Sequence, residues 1–188
     1  SAACLMGYVD AAYFAWPKYQ ASAASHSIDA LLQFSGNRHG WSYLLRMRMR
    51  KRERNDSENS RLSWRNEYRS RTMIGYTASS WQWRMQGDLS LCHQQTTSRG
   101  YMVSQYAACH YAWFQAFLSA NYFHTDDYLS RVYSYERGLL YDFSFPMFSG
   151  EGVRYAIAAR ADIARRLMFL MKLGNTCYFR NVSSSSGP

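Results

Sequence analysis

The chain has 188 residues, enough for one domain or one domain with an extended arm, and no disulfide or metal staple is required at that size. Apolar residues make up 47% and charged residues 19%, which excludes a disordered or collagen-like chain. Two entries stand out: aromatics reach 17%, and the net charge of +9 rests on 19 Arg against only 3 Lys.

Residues 2–16 are predicted as a short helix, with Leu5, Val9, Ala12, Tyr13 and Trp16 at helical spacing and Pro17 stopping it. The start at Ser1 is what a matured or trimmed chain shows, and no secretory signal is visible. Residues 18–34 predict a second helix, with Ala21, Ala24, Ile28, Leu31 and Leu32 on one side and Ser35-Gly36-Asn37 closing it. From 42 to 54, Met and Arg alternate as in a strand, but Leu, Met, Arg, Lys and Glu all favour helix, and helix is expected. Asn55-Asp56-Ser57 breaks it, and Ser57 or Ser60 caps a further helix to about Arg69.

The period then changes. Trp81, Trp83 and Met85 alternate with Gln82, Arg84 and Gln86 ahead of Gly87-Asp88 and a second alternating run to Cys92. That pattern reads as a hairpin with a type II′ turn, with 72–77 as one more strand. Residues 100–125 are the longest stretch without a charge. Length alone admits a membrane span, but Ser104, Gln105, His110, Gln115, Ser119 and Asn121 are costly in lipid, so a buried aromatic helix over 101–123 is expected. Asp126 caps a helix over 127–137, and 139–148 is extended because of Pro146. The clearest helix is predicted at 153–173, with Val153, Ile157, Ala164, Leu167, Met168 and Met171 on one face.

The fold class read from this pattern is mainly α with a small antiparallel β hairpin or meander, an irregular helical architecture with extended termini. It is one domain over 1–188, with a basic segment at 42–71, a small β region at 72–100, a helical region at 101–173 and a tail at 174–188.

Charge is concentrated. Residues 46–71 hold ten basic and four acidic side chains, a net of +6, and leave +3 for the rest. Arg46, Arg48, Arg50, Arg52, Arg54, Arg61, Arg65 and Arg69 are the expected contacts to phosphate, lipid headgroups or an acidic partner, because the guanidinium fork binds oxyanions bidentately. Trp81, Trp83, Trp113, Phe143, Phe145 and Phe148 are the expected interface aromatics, since one small domain would struggle to cover them all.

Catalytic patterns are thin. Cys92-His93 and Cys109-His110 offer zinc-type donors at a spacing that fits no finger, and the Asp126-Asp127 pair beside His124 is explained by helix capping. No nucleophile elbow, phosphate loop or metalloprotease motif occurs. No enzyme activity, cofactor, metal or small-molecule substrate is expected. The composition points to an accessory, structural subunit of a large assembly, favoured as a mitochondrial inner-membrane respiratory or ATP synthase complex and membrane-associated or peripheral. Its partners would be neighbouring protein subunits and anionic lipid headgroups. An RNA-contacting protein such as a mitochondrial ribosome subunit is the alternative.

Overall fold

Alternation with a period of two runs through almost every segment, and the backbone follows it. The computed structural model describes residues 2–17, 21–55, 61–134, 146–164 and 167–180. Seven long strands come first: β1 (Ala2–Phe14), β2 (Ser25–Arg38), β3 (Trp41–Asn55), β4 (Leu62–Thr77), β5 (Trp81–His93), β6 (Thr97–His110) and β7 (Phe114–Thr125). A short insertion follows, with a 3-10 turn at Tyr128–Ser130 and the two-residue strands β8 (Val132–Tyr133) and β9 (Met147–Phe148). Then come β10 (Glu151–Ala164) and β11 (Leu167–Arg180).

The nine long strands form one antiparallel sheet in the order β1-β2-β3-β4-β5-β6-β7-β10-β11, so each pairs with the next long strand in the chain. Short turns suffice for such a meander. Between β2 and β3, His39 and Gly40 take positive φ (50° and 83°) to close a two-residue turn, the geometry that matches strand twist.

The mainly α expectation is overturned. The segments 2–16, 18–34, 42–54 and 57–69 supply β1 to β4, and 101–123 is a pair of strands, most of β6 and β7, that turns at Ala112 and Trp113. The 153–173 helix is likewise two strands, β10 and β11. The predicted hairpin turn at Gly87-Asp88 lies inside the continuous strand β5. Of the 127–137 helix only the 3-10 turn exists among the described residues, and its cap is Asp127 rather than Asp126. The expected strand at 72–77 is the end of β4. Positions four apart share a face in both a helix and a strand, so Val153 with Ile157 fitted either. Helix propensity then decided wrongly, because in a sheet burial and cross-strand packing outweigh it.

Burial does not follow apolarity in this sheet. Among the described residues eleven buried side chains are polar, including Asp88, Gln86, Asn121 and Ser104, and only eight are apolar. The apolar cluster that does exist is small: Met102 and Phe123 from the sheet, covered by Val132 and Phe148 from the insertion.

Candidate functional site

Side chains along a strand point alternately to opposite faces, so the ladder registers assign every residue to one face. One face carries Leu5, Leu32, Met47, Leu89 and Leu118 with their row neighbours Phe34, Leu45, Val103 and Ile157. Large apolar residues on it are open to solvent, as Leu89 is at 59%.

That apolar face has two aromatic borders. One runs through Tyr68, Tyr101, Tyr122 and Tyr155, the other through Tyr76, Trp81 and Phe114, with Trp41 beside Tyr76 at 5.1 Å and Tyr76 beside Trp81 at 5.3 Å. The borders enclose residues 68–76 of β4, 81–91 of β5, 101–109 of β6, 114–122 of β7 and 155–163 of β10, nine to eleven residues on each strand. On β3 the matching stretch is 41–49.

The borders are offset in a regular way. From Tyr68 to Tyr155 the ladder register slips six residues over four strand-to-strand steps, and from Tyr76 to Ile163 it slips six over the same four. At about 3.4 Å per residue and about 4.8 Å between strands, that is the offset of strands inclined by about 45° to the band.

Across β3, β4 and β5 the opposite face is largely polar and cationic. Arg46, Arg48, Arg50, Arg52 and Arg54 of β3 stand beside Arg65, Arg69 and Arg71 of β4 on it. Like charges directly opposite one another are unfavourable, and carboxylates are interleaved to offset them. Asp29 takes Arg48 in a two-point contact (Nε–Oδ1 2.8 Å, Nη2–Oδ2 2.6 Å) and Arg50 through Nε at 3.0 Å. Asp88 accepts from Arg71 Nε at 2.6 Å and from Gln86 Nε2 at 2.6 Å. Glu67 accepts from Arg65 at 3.0 Å. Arg46 donates to the neutral Gln33 at 2.7 Å.

The insertion between β7 and β10 folds onto this polar face. Arg99 N–H donates to the Asp126 carboxylate at 2.9 Å, and the Ser130 hydroxyl donates to the Arg99 carbonyl at 2.9 Å. Asp127 accepts from Leu129 N–H, Ser130 N–H and the Ser98 hydroxyl, while Ser134 donates to Asn121 at 3.2 Å. Phe148 stacks on Phe123 at 4.4 Å. The insertion places Arg131 and Tyr133 against the Arg field, with Arg69 over the Tyr133 ring at 5.8 Å.

Arg46, Arg48, Arg50, Arg52, Arg54, Arg65 and Arg69 therefore share one face, while Arg61 is exposed just before β4 and off the ladder. Trp81 and Trp83 lie on the apolar face, and Trp113 is exposed in the β6–β7 turn. Phe148 is buried between the insertion, to which it belongs, and the sheet rather than presented outward, and Phe143 and Phe145 lie outside the described residues. The two Cys-His pairs sit at opposite ends of the β5–β6 ladder, and among the described residues no group of three or more metal-binding side chains occurs. Sequence reasoning missed Asp29, Asp88, Arg71 and Arg131. The even spacing of Arg84, Gln86 and Asp88 was the available signal for three positions on one strand face.

Comparison with protein-family models, curated proteins and solved structures finds no match to the chain.

Proposed function

We propose that the chain forms the wall of a transmembrane β-barrel, with the apolar face against lipid and the arginine face lining the lumen. The observation that carries this is the band of nine to eleven residues per strand, bordered by aromatics and staggered as for strands inclined by about 45°. A spanning strand needs about 9–11 residues at that inclination, and aromatic girdles mark the two membrane interfaces. Polar side chains inside and apolar ones outside are the inverse of a soluble fold and the normal arrangement in lipid. Among the described residues no helix is long and apolar enough to cross a membrane, and the proposed spanning elements are strands. Backbone groups at a sheet edge are not tolerated in hydrocarbon, so the wall must close, by pairing β1 with β11 or with additional strands.

The test uses neighbouring positions on opposite faces. In a tryptophan-free background folded into lipid vesicles, Phe34→Trp on the exposed apolar face is quenched by lipid brominated at mid-chain, and Ser35→Trp on the polar face is reached instead by an aqueous quencher. Equal access of the aqueous quencher to both positions would overturn the reading. The accessory-subunit proposal, with protein neighbours in a mitochondrial complex, and the RNA-contacting proposal predict a different result. Extraction in mild detergent would then recover the chain with respiratory or ribosomal proteins.

A further inference from the structure

Where the insertion meets the sheet it leaves a cavity of about 190 Å³ on the polar face. Five guanidinium groups line it, those of Arg46, Arg48, Arg69, Arg71 and Arg131, against the single carboxylate of Asp88. Two of the five are matched: Arg48 by Asp29 and Arg71 by Asp88. The other three have no carboxylate of their own. Arg46 has the neutral Gln33, Arg131 has the Tyr133 hydroxyl at 2.5 Å and the Tyr128 carbonyl at 3.2 Å, and Arg69 reaches Glu67 only at 3.8 Å while Glu67 is held closer by Arg65. Among the described residues, the cavity thus gathers cations from β3, β4 and the insertion in excess of its carboxylates, with Arg46 and Arg131 bonded only to neutral groups and Arg69 sharing Glu67 with Arg65.

We propose that this cavity binds a small phosphate-bearing anion, held by Arg46, Arg69 and Arg131. Each guanidinium offers a planar fork of N–H donors suited to two oxygens of one oxyanion. Three forks converging from three parts of the chain suit a tetrahedral dianion with four oxygens better than a planar carboxylate with two. The same donors would otherwise repel one another across the cavity, so a dianion removes a cost as well as adding bonds. Rings of Arg are also how anion-conducting pores select their ions. This site stands on the cavity and goes beyond the membrane reading.

The probes are inorganic phosphate and pyrophosphate, titrated calorimetrically into the full chain folded in a non-ionic detergent. Saturable binding is expected, with acetate at equal ionic strength far weaker. Arg69→Gln and Arg131→Gln each weaken it by about tenfold or more, the loss of a charge-assisted contact. Arg69→Lys keeps the charge, loses the fork and falls between. Arg160→Gln, whose partner Asp162 lies at the far end of β10, leaves binding unchanged. Circular dichroism of each variant verifies that the sheet is retained. Absence of saturable binding, or equal weakening by Arg160→Gln, overturns the site. A chain that binds phosphate but fails to enter vesicles keeps this site and loses the membrane reading; one that inserts without binding does the reverse.

Discussion

The backbone carbonyl of Ser130 lies where a Cβ on Gly100 would have to be, closer than side-chain carbons approach backbone oxygen. Gly100 is therefore the point at which the insertion rests on the sheet. Gly100→Ala is expected to cost about 1–3 kcal/mol through overpacking and to loosen residues 126–134. Urea midpoints and amide exchange over that segment measure it. Gly87→Ala is the contrast, since nothing lies within 4 Å of its added carbon, and a change within about 0.5 kcal/mol is expected.

The two faces should differ in their tolerance of charge. Leu45→Arg, on the apolar face midway along its band, is expected to cost about 2–4 kcal/mol of folding into a bilayer. Ser35→Arg on the polar face of β2 should cost less than about 1 kcal/mol. Folding yields in vesicles, read by heat-dependent gel mobility, compare the two. Equal losses would contradict the face assignment.

Asp29 is the shared counter-charge of Arg48 and Arg50, with its side chain only 13% exposed. Asp29→Asn keeps the shape and removes the charge, leaving two neighbouring guanidinium groups to repel. A loss of about 1–3 kcal/mol is expected, partly recovered in high salt because the arginines are half-exposed. Denaturant midpoints at low and high ionic strength check both parts.

Glu53 lies four residues beyond the apolar band of β3, and the backbone N–H of His26 donates to its carboxylate at 2.6 Å, with the His26 ring at 3.0 Å. That backbone bond, with a smaller contribution from the ring, holds the carboxyl below its ordinary value of 4.5. The sign follows from linkage: the stabilisation is fully present above the ordinary value and fades as pH falls through the lowered one. The protection factor of the His26 amide, its slowing relative to the intrinsic exchange rate at each pH, should therefore fall as the solution is acidified below that range. In Glu53→Gln this pH dependence should flatten.

The strands at 72–77 and 81–92 were legible in part because their alternation is unmixed, with Trp, Gln and Arg taking turns. Even there Gly87-Asp88 suggested a turn, and the structure runs through it. Arg71 engages the Asp88 carboxylate from the neighbouring strand, a long-range partner that local turn chemistry does not contain. In 42–54 the alternation of Met and Arg was visible and was outweighed by helix propensity. An isolated residue expresses that propensity, whereas a strand in a sheet responds to what lies across the ladder. The uncharged, aromatic run of 101–123 suggested one buried helix, because two strands and their turn were read as a single element.

By itself the sequence determined where the charge sits, that Arg rather than Lys carries it, and that aromatic residues are in excess. Those are properties of composition and local order, and they hold for any fold. Only the tertiary structure decided that the alternation is one continuous division between two faces. Register does this: each hydrogen-bonded row joins residues tens of positions apart, aligning Arg48 with Arg69 and Leu31, and Met47 with Ser70 and Leu32. The insertion then adds Arg131 to the same polar face. Strand pairing is non-local, so a segment read alone carries its two faces but not the neighbours that decide which solvent each one meets.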